Sequence, residues 1–292
     1  MLGIKGINIV KLSYLILLTT ISVSCQKNKV NQLIKITDLS NDLHEISGIT
    51  LLSDQRLYAI NDSGNSNTLF CLNQKGKIIQ KIKIPKTKNI DWEDLAYDKK
   101  DTLYIGDFGN NSNDRKNLRI YKVSPPFSEK TSVSKIEFSF PDQKKFPPKK
   151  KNQNFDVEAF LCFNNNLYLF TKNRGKDKRG RTTIYKIPTQ PGKHVAELIG
   201  HYTTCNDQSD CLITGATINS SGDKIALLTH NKIFLLSNFS DTNLSDATIQ
   251  KIKLYHTSQK EGICFKNDST LYITDEKKGL QKAGLYEYHL KN

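Results

Sequence analysis

A pattern that returns five times constrains this chain more than any other feature. An apolar pair stands at Leu57-Tyr58, Leu103-Tyr104, Leu167-Tyr168, Ile225-Ala226 and Leu271-Tyr272. A polar residue follows three positions after each pair, at Asn61, Asp107, Thr171, Thr229 and Asp275. A short apolar run precedes each pair, and a third run follows at 69–72, 118–123, 183–187, 233–236 and 285–288. Fourth runs occupy 78–84, 136–140, 196–201 and 249–254, and the fifth repeat has none. Short alternating runs between Gly, Asn and Asp turns read as strands, and repeated four-strand units bury their faces by stacking on one another. Segment 33–37 has no other partner and fits as the missing outer strand of the last unit. The expected fold is therefore an all-β propeller of five four-stranded blades, its ring closed by an N-terminal strand that leaves only short, protected edges. The insertions at 125–154 and 192–210 leave room for a sixth blade. A β-sandwich is the competing architecture.

The N-terminus follows different rules. Lys5 and Lys11 precede an apolar run over 12–23 that ends at Ser24-Cys25. A basic start, a short apolar stretch and small residues at its end describe a secretory signal, and the run is short for a membrane span. Cys25 after a small residue resembles the bacterial lipobox, with Ser22 where the usual pattern has Leu. The expected organisation is a lipoprotein signal peptide at 1–24, a tether at 25–31 and one propeller domain over 32–292. Acylated Cys25 would then hold an exported protein on a bacterial membrane, at the outer membrane or cell surface, each buried CH₂ adding roughly 0.8 kcal/mol. An ordinary signal peptide with an incidental Cys25 is the alternative.

Export into an oxidising compartment would let Cys205 and Cys211, which bracket a polar loop, close a small disulfide. Cys71, Cys162 and Cys264 lie in apolar runs and read as buried small hydrophobes. No Cys/His spacing suits zinc. The formal net charge is +14, and loss of 1–24 removes two lysines and no acids. Much of the excess sits in two clusters, Lys144, Lys145, Lys149, Lys150 and Lys151, and Lys172, Arg174, Lys176, Lys178, Arg179 and Arg181. These read as solvated loops or as a patch for an anionic polymer or phosphorylated substrate. No nucleic-acid motif appears, so nucleic acid is not an expected partner. A monomer is expected.

Aligning the repeats about ten residues before each pair stacks Ser47, Glu93, Glu158, Thr214 and Glu261, with Glu45, Asp91 and Asp156 two residues earlier in the first three. A spacing of two keeps both side chains on one strand face. In antiparallel neighbours the start of one strand lies beside the end of the next. Glu45 with Asp62, Glu93 with Asp107 and Glu261 with Asp275 should thus meet at one mouth of the central channel, joined by Asn61, Lys172, Asn173, Arg174 and His230. Clustered carboxylates raise one another's pKa and call for a cation, shared protons or basic partners. Carboxylates with Asn oxygens suit Ca²⁺. His230 is the one imidazole candidate for acid–base work. Structural Asx turns are the competing reading of each polar run.

The motifs His44-Glu45-Ile46-Ser47-Gly48, Asn61-Asp62-Ser63-Gly64-Asn65, Asp91-Trp92-Glu93-Asp94 and Gly106-Asp107-Phe108-Gly109-Asn110-Asn111 resemble those of exported Bacteroidetes-type propeller lipoproteins. Thr214-Gly215-Ala216, Glu261-Gly262 and Tyr272-Ile273-Thr274-Asp275-Glu276 are similar to the SdiA-regulated and phytase-like esterase propellers. More distantly, calcium-dependent lactonases and paraoxonases hold Ca²⁺ at the propeller axis. That resemblance implies metal-ligand parts for Glu45, Asn61, Glu158 and Glu261. Two functions follow as expectations: an envelope lipoprotein binding a small-molecule or polymer ligand, or a partner, at an acidic mouth, and a calcium-dependent hydrolase of phosphoesters or lactones.

Overall fold

The computed structural model describes residues 33–125, 131–175, 180–204, 211–241 and 243–291. Cys25, the proposed signal peptide, the whole tether and Cys205 lie outside them. Strand β1 (Ile34–Asp38) comes first. Blade 1 is β2 (Ile46–Leu51), β3 (Leu57–Asn61), β4 (Thr68–Leu72) and β5 (Ile78–Lys83). Blade 2 is β6 (Trp92–Tyr97), β7 (Leu103–Asp107), β8 (Arg119–Ser124) and β9 (Ser132–Ser139). Blade 3 holds β10 (Val157–Phe163), β11 (Asn166–Thr171) and β12 (Arg181–Pro188); β13 (Gly192–Val195) intervenes, and β14 (Glu197–Thr203) is its outer strand. Blade 4 is β15 (Gly215–Ile218), β16 (Ile225–Leu228), β17 (Lys232–Ser237) and β18 (Thr248–Lys253). Blade 5 is β19 (Lys260–Asn267), β20 (Thr270–Asp275) and β21 (Gly284–His289), with β1 antiparallel to β21 on its outer edge.

The blade count is five. The insertions that left room for a sixth blade hold instead β13, which pairs in parallel with β9 and extends blade 2 to five strands. The innermost strands touch in a closed ring, β2 to β6 to β10 to β15 to β19 and back to β2. Burial follows: one apolar cluster fills each of the five blade interfaces, for example Trp92, Tyr58 and Tyr121 between blades 1 and 2 and Phe108, Phe160 and Tyr185 between blades 2 and 3. Trp92 is fully buried, as its place between two mouth acids predicts. Cys211 is disulfide-bonded, and Cys71, Cys162 and Cys264 are free. No helix of the described residues is long and apolar enough to cross a membrane.

The ring is tight at its waist. The residues one step past the aligned mouth positions are Gly48, Asp94, Ala159, Gly215 and Gly262. A Cβ on Gly48 would lie 2.5 Å from Leu95 N, and one on Gly262 2.6 Å from the Ser47 carbonyl. These glycines are there because neighbouring backbones occupy the side-chain space. Asp94 is the one charged residue among the five. Its fully buried carboxylate accepts Leu95 N at 2.8 Å and Phe160 N at 3.1 Å. It ties together the inner strands of blades 2 and 3.

Candidate functional site

The mouth is built by bulges. Inner-strand register skips a residue between Trp92 and Asp94, between Val157 and Ala159, and between Lys260 and Gly262, and shifts between Ile46 and Ile49. The skipped residues are Glu93, Glu158 and Glu261, with Ser47 in the fourth gap. A bulged residue leaves the ladder and its side chain is re-aimed, so these positions turn towards the channel mouth instead of alternating with their neighbours.

Three carboxylates converge there. Asp62, Asp91 and Glu93 each place an oxygen within 4.8 Å of the others. Glu93 is only 7 % exposed, and among the described residues it has no hydrogen bond or ion pair. Burial, then the charges of Glu158, Asp62 and Asp91, push its carboxyl well above the usual range. Burial with Asp91, Glu158 and Glu261 nearby pushes Asp62 up to about 7, against the backbone bond it accepts from Ser63. Asp91 is raised by burial and only partly relieved by Arg115 at 3.9 Å. Gly109 makes the approach possible, since a Cβ there would fall on Glu93 Oε1 and within 2.5 Å of Asp91 Cγ.

The opposite side of the mouth is neutralised. Glu158 contacts Lys172 at 3.1 Å and Arg174 at 2.9 Å, while Arg174 also contacts Asp156 at 2.6 Å. Burial works to raise Glu158, but the two cations outweigh it and hold it below its ordinary range. His230 Nε2 stands 3.6 Å from Glu261 Oε1. Glu276, next to Asp275, is pushed up to about 8 by burial and by Glu261, Asp62 and Glu45.

Other expected site residues lie elsewhere. Asp107 is wholly buried, accepting Asp91 N at 3.1 Å and Arg115 at 3.0 Å. Asp275, also wholly buried, accepts Gly284 N at 2.8 Å and the Tyr286 hydroxyl at 2.9 Å. Asn61 donates to the Asp42 carbonyl at 2.7 Å, its Oδ1 unpartnered. Glu45 is half-exposed and accepts Asn65 at 2.6 Å. Asn173 accepts Gly175 N at 2.8 Å and lines a different cavity. The repeat finds the region where each second strand ends, but there Asn61, Thr171, Thr229 and Asp275 are buried and the next residue, Asp62, Lys172, His230 or Glu276, is less buried; in blade 2 the next residue, Phe108, is core. Sequence reasoning gave no role to Asp94, Arg115 and Gly109; of these only Asp94 carries a signal in the repeat, standing where three of the other four copies have Gly.

No protein-family model matches the chain, and no curated protein matches it in sequence. Solved structures match in shape. An aldose sugar dehydrogenase from Streptomyces coelicolor in its PQQ-bound form aligns over 89 % of this chain and 98 % of its own at 8 % identity, TM-score 0.52. A streptogramin B lyase aligns over 88 % and 97 % at 14 % identity, TM-score 0.47. A luciferin-regenerating enzyme aligns over 89 % and 95 % at 10 % identity, TM-score 0.46. The similarity is one of fold alone.

Proposed function

We propose that this protein is an exported, lipid-anchored propeller that binds its ligand at the acidic mouth through a hard divalent cation held by Asp62, Asp91 and Glu93. The observation that carries this reading is the Glu93 carboxylate, buried and, among the described residues, without a hydrogen bond or ion pair beside two further carboxylates. A buried charge without a counter-charge is costly, and a cation such as Ca²⁺, which prefers carboxylate oxygens, would discharge the cluster. The donor set is all oxygen, and Gly109 leaves a cradle that a Cβ would fill. Glu158 is not among the ligands of this reading because Lys172 and Arg174 already engage it.

Calorimetric titration of the full chain in mild detergent with CaCl₂ tests this. Saturable binding is expected, with a stabilisation of about 2.7 kcal/mol at a hundredfold excess over Kd. Glu93→Gln and Gly109→Ala should each weaken it strongly. Absence of binding in the wild-type chain sinks the reading. Hydrolysis of a phosphoester or lactone is the second reading, favoured by the His230–Glu261 contact at the same mouth. There the bound cation would supply Lewis-acid polarisation, while Glu261 would orient the imidazole as base. The anchor is tested separately: Cys25→Ala should move the protein from the membrane to the soluble fraction and abolish the lipid mass increment. An unlipidated wild-type protein would refute it.

A further inference from the structure

The lysine cluster at 144–151 is not used by the mouth. It belongs to the connection between blades 2 and 3, residues 140–156, which is far longer than the connections 84–91 and 254–259. This insertion is tied down at both ends. Gln143 donates to the Asn113 carbonyl at 2.9 Å, and Asn113 Oδ1 accepts Phe155 N at 2.7 Å. Between those anchors it forms one wall of a cavity of about 640 Å³, with the outer part of blade 3 as the other. Lys144, Lys145, Lys149, Lys151 and Arg181 line it. Among the described residues none of these five side chains has an ion pair. The one carboxylate in the lining, Asp142, is held by the Tyr185 hydroxyl at 3.0 Å.

We propose that this cavity is a binding site for a phosphate-bearing ligand. Five cations around one concave space repel one another and focus a positive potential that only an anion relieves. Lysines serve phosphate as compact point charges. The volume lies in the range of small-molecule sites, roughly 300–1,000 Å³. Phe155 and the exposed Leu198 give the wall an apolar part for the body of the ligand. Asn173 lies in this lining while its neighbours Lys172 and Arg174 hold Glu158, so one loop borders both sites.

Sodium tripolyphosphate is the probe, titrated into the full chain in detergent at low salt. One-site binding is expected. Lys149→Glu/Lys151→Glu should weaken it by about tenfold or more, since each reversal turns an attraction into a repulsion. The charge-matched control Lys253→Glu/Lys291→Glu, on exposed lysines elsewhere, should change it by less than about twofold. All four positions are exposed, so the variants are expected to fold. Displacement of the probe by phosphatidylcholine vesicles containing phosphatidate would assign the phosphate to a lipid headgroup. Failure of the vesicles to displace it would assign it to a soluble compound. Lack of saturable binding, or equal loss in both double variants, overturns the proposal.

Discussion

Replacing Asp94 by alanine is expected to remove a large part of the stability of the propeller. The carboxylate is wholly buried at the waist of the ring and accepts the backbone amides of Leu95 and Phe160. Truncation leaves those two N–H groups without their acceptor. A buried group left unsatisfied costs about 1–3 kcal/mol, so the total loss should be about 2–6 kcal/mol, out of the 5–15 kcal/mol typical of a domain. Asp94→Asn keeps one acceptor oxygen and should cost less. Urea denaturation followed by circular dichroism reads both. A wild-type midpoint for Asp94→Ala would show that the carboxylate does not hold blades 2 and 3 together. If the alanine variant yields no folded protein, the asparagine variant still decides, since it should fold with a lowered midpoint.

The second large effect is an inverted pH dependence without metal. The fold raises Asp62 from 3.8 to about 7 and Glu276 from 4.5 to about 8. Between those limits the folded chain holds more protons than the unfolded one, so stability falls as pH rises. This contribution is fully present below about pH 4 and is lost as pH climbs through about 7–8. Asp62 alone accounts for about 2–4 kcal/mol of it, the lower figure allowing for its partial exposure. Glu158 acts in the opposite sense, its stabilisation being lost only when pH falls towards its own depressed pKa. Urea midpoints in chelator should therefore decline between pH 5 and pH 8. With saturating CaCl₂ the slope should flatten or reverse, because the cation binds the ionised carboxylates. Asp62→Asn should flatten the chelator curve. Midpoints in chelator that rise steadily over this range would show that the mouth carboxylates are not strained by their own charge.

Much of the architecture was legible in the residues. The fivefold repeat of apolar pairs carried the five blades, and the unpartnered segment before the first repeat carried the closing strand, now β1 beside β21. These are local patterns, and a strand's two-residue period writes them directly into the chain. The aligned column Ser47, Glu93, Glu158 and Glu261 falls on the register irregularities of the inner strands, which recur in the same place in these four blades. Legibility ended where one residue decides the face. Asp107 and Asp275 close their strands and turn into the blades, whereas Asp62 and Glu276 follow theirs and turn to the mouth. A shift of one position exchanges the two faces of a strand, and only the bulges and loops of the folded chain fix that shift.

Charge balance was likewise decided in three dimensions. The repeat alignment brings Lys172 and Arg174 to the acidic mouth but does not say which acids they hold: they engage Glu158 and Asp156, and Arg115 takes Asp107. Among the described residues Glu93 is left without an ion pair. Coulomb interactions depend on distances of a few ångströms between residues far apart in sequence. Such distances are set by packing of one blade on the next. The sequence by itself thus determined the blade and its closure and counted five repeats, because hydrogen-bonding pattern and apolar periodicity are properties of short segments; that the insertions add β13 to blade 2 and not a sixth blade was decided by the folded chain. The tertiary structure alone decided which carboxylates stay free, which lysines share a cavity and why an aspartate sits at the waist, because those depend on what the neighbouring blade brings into contact.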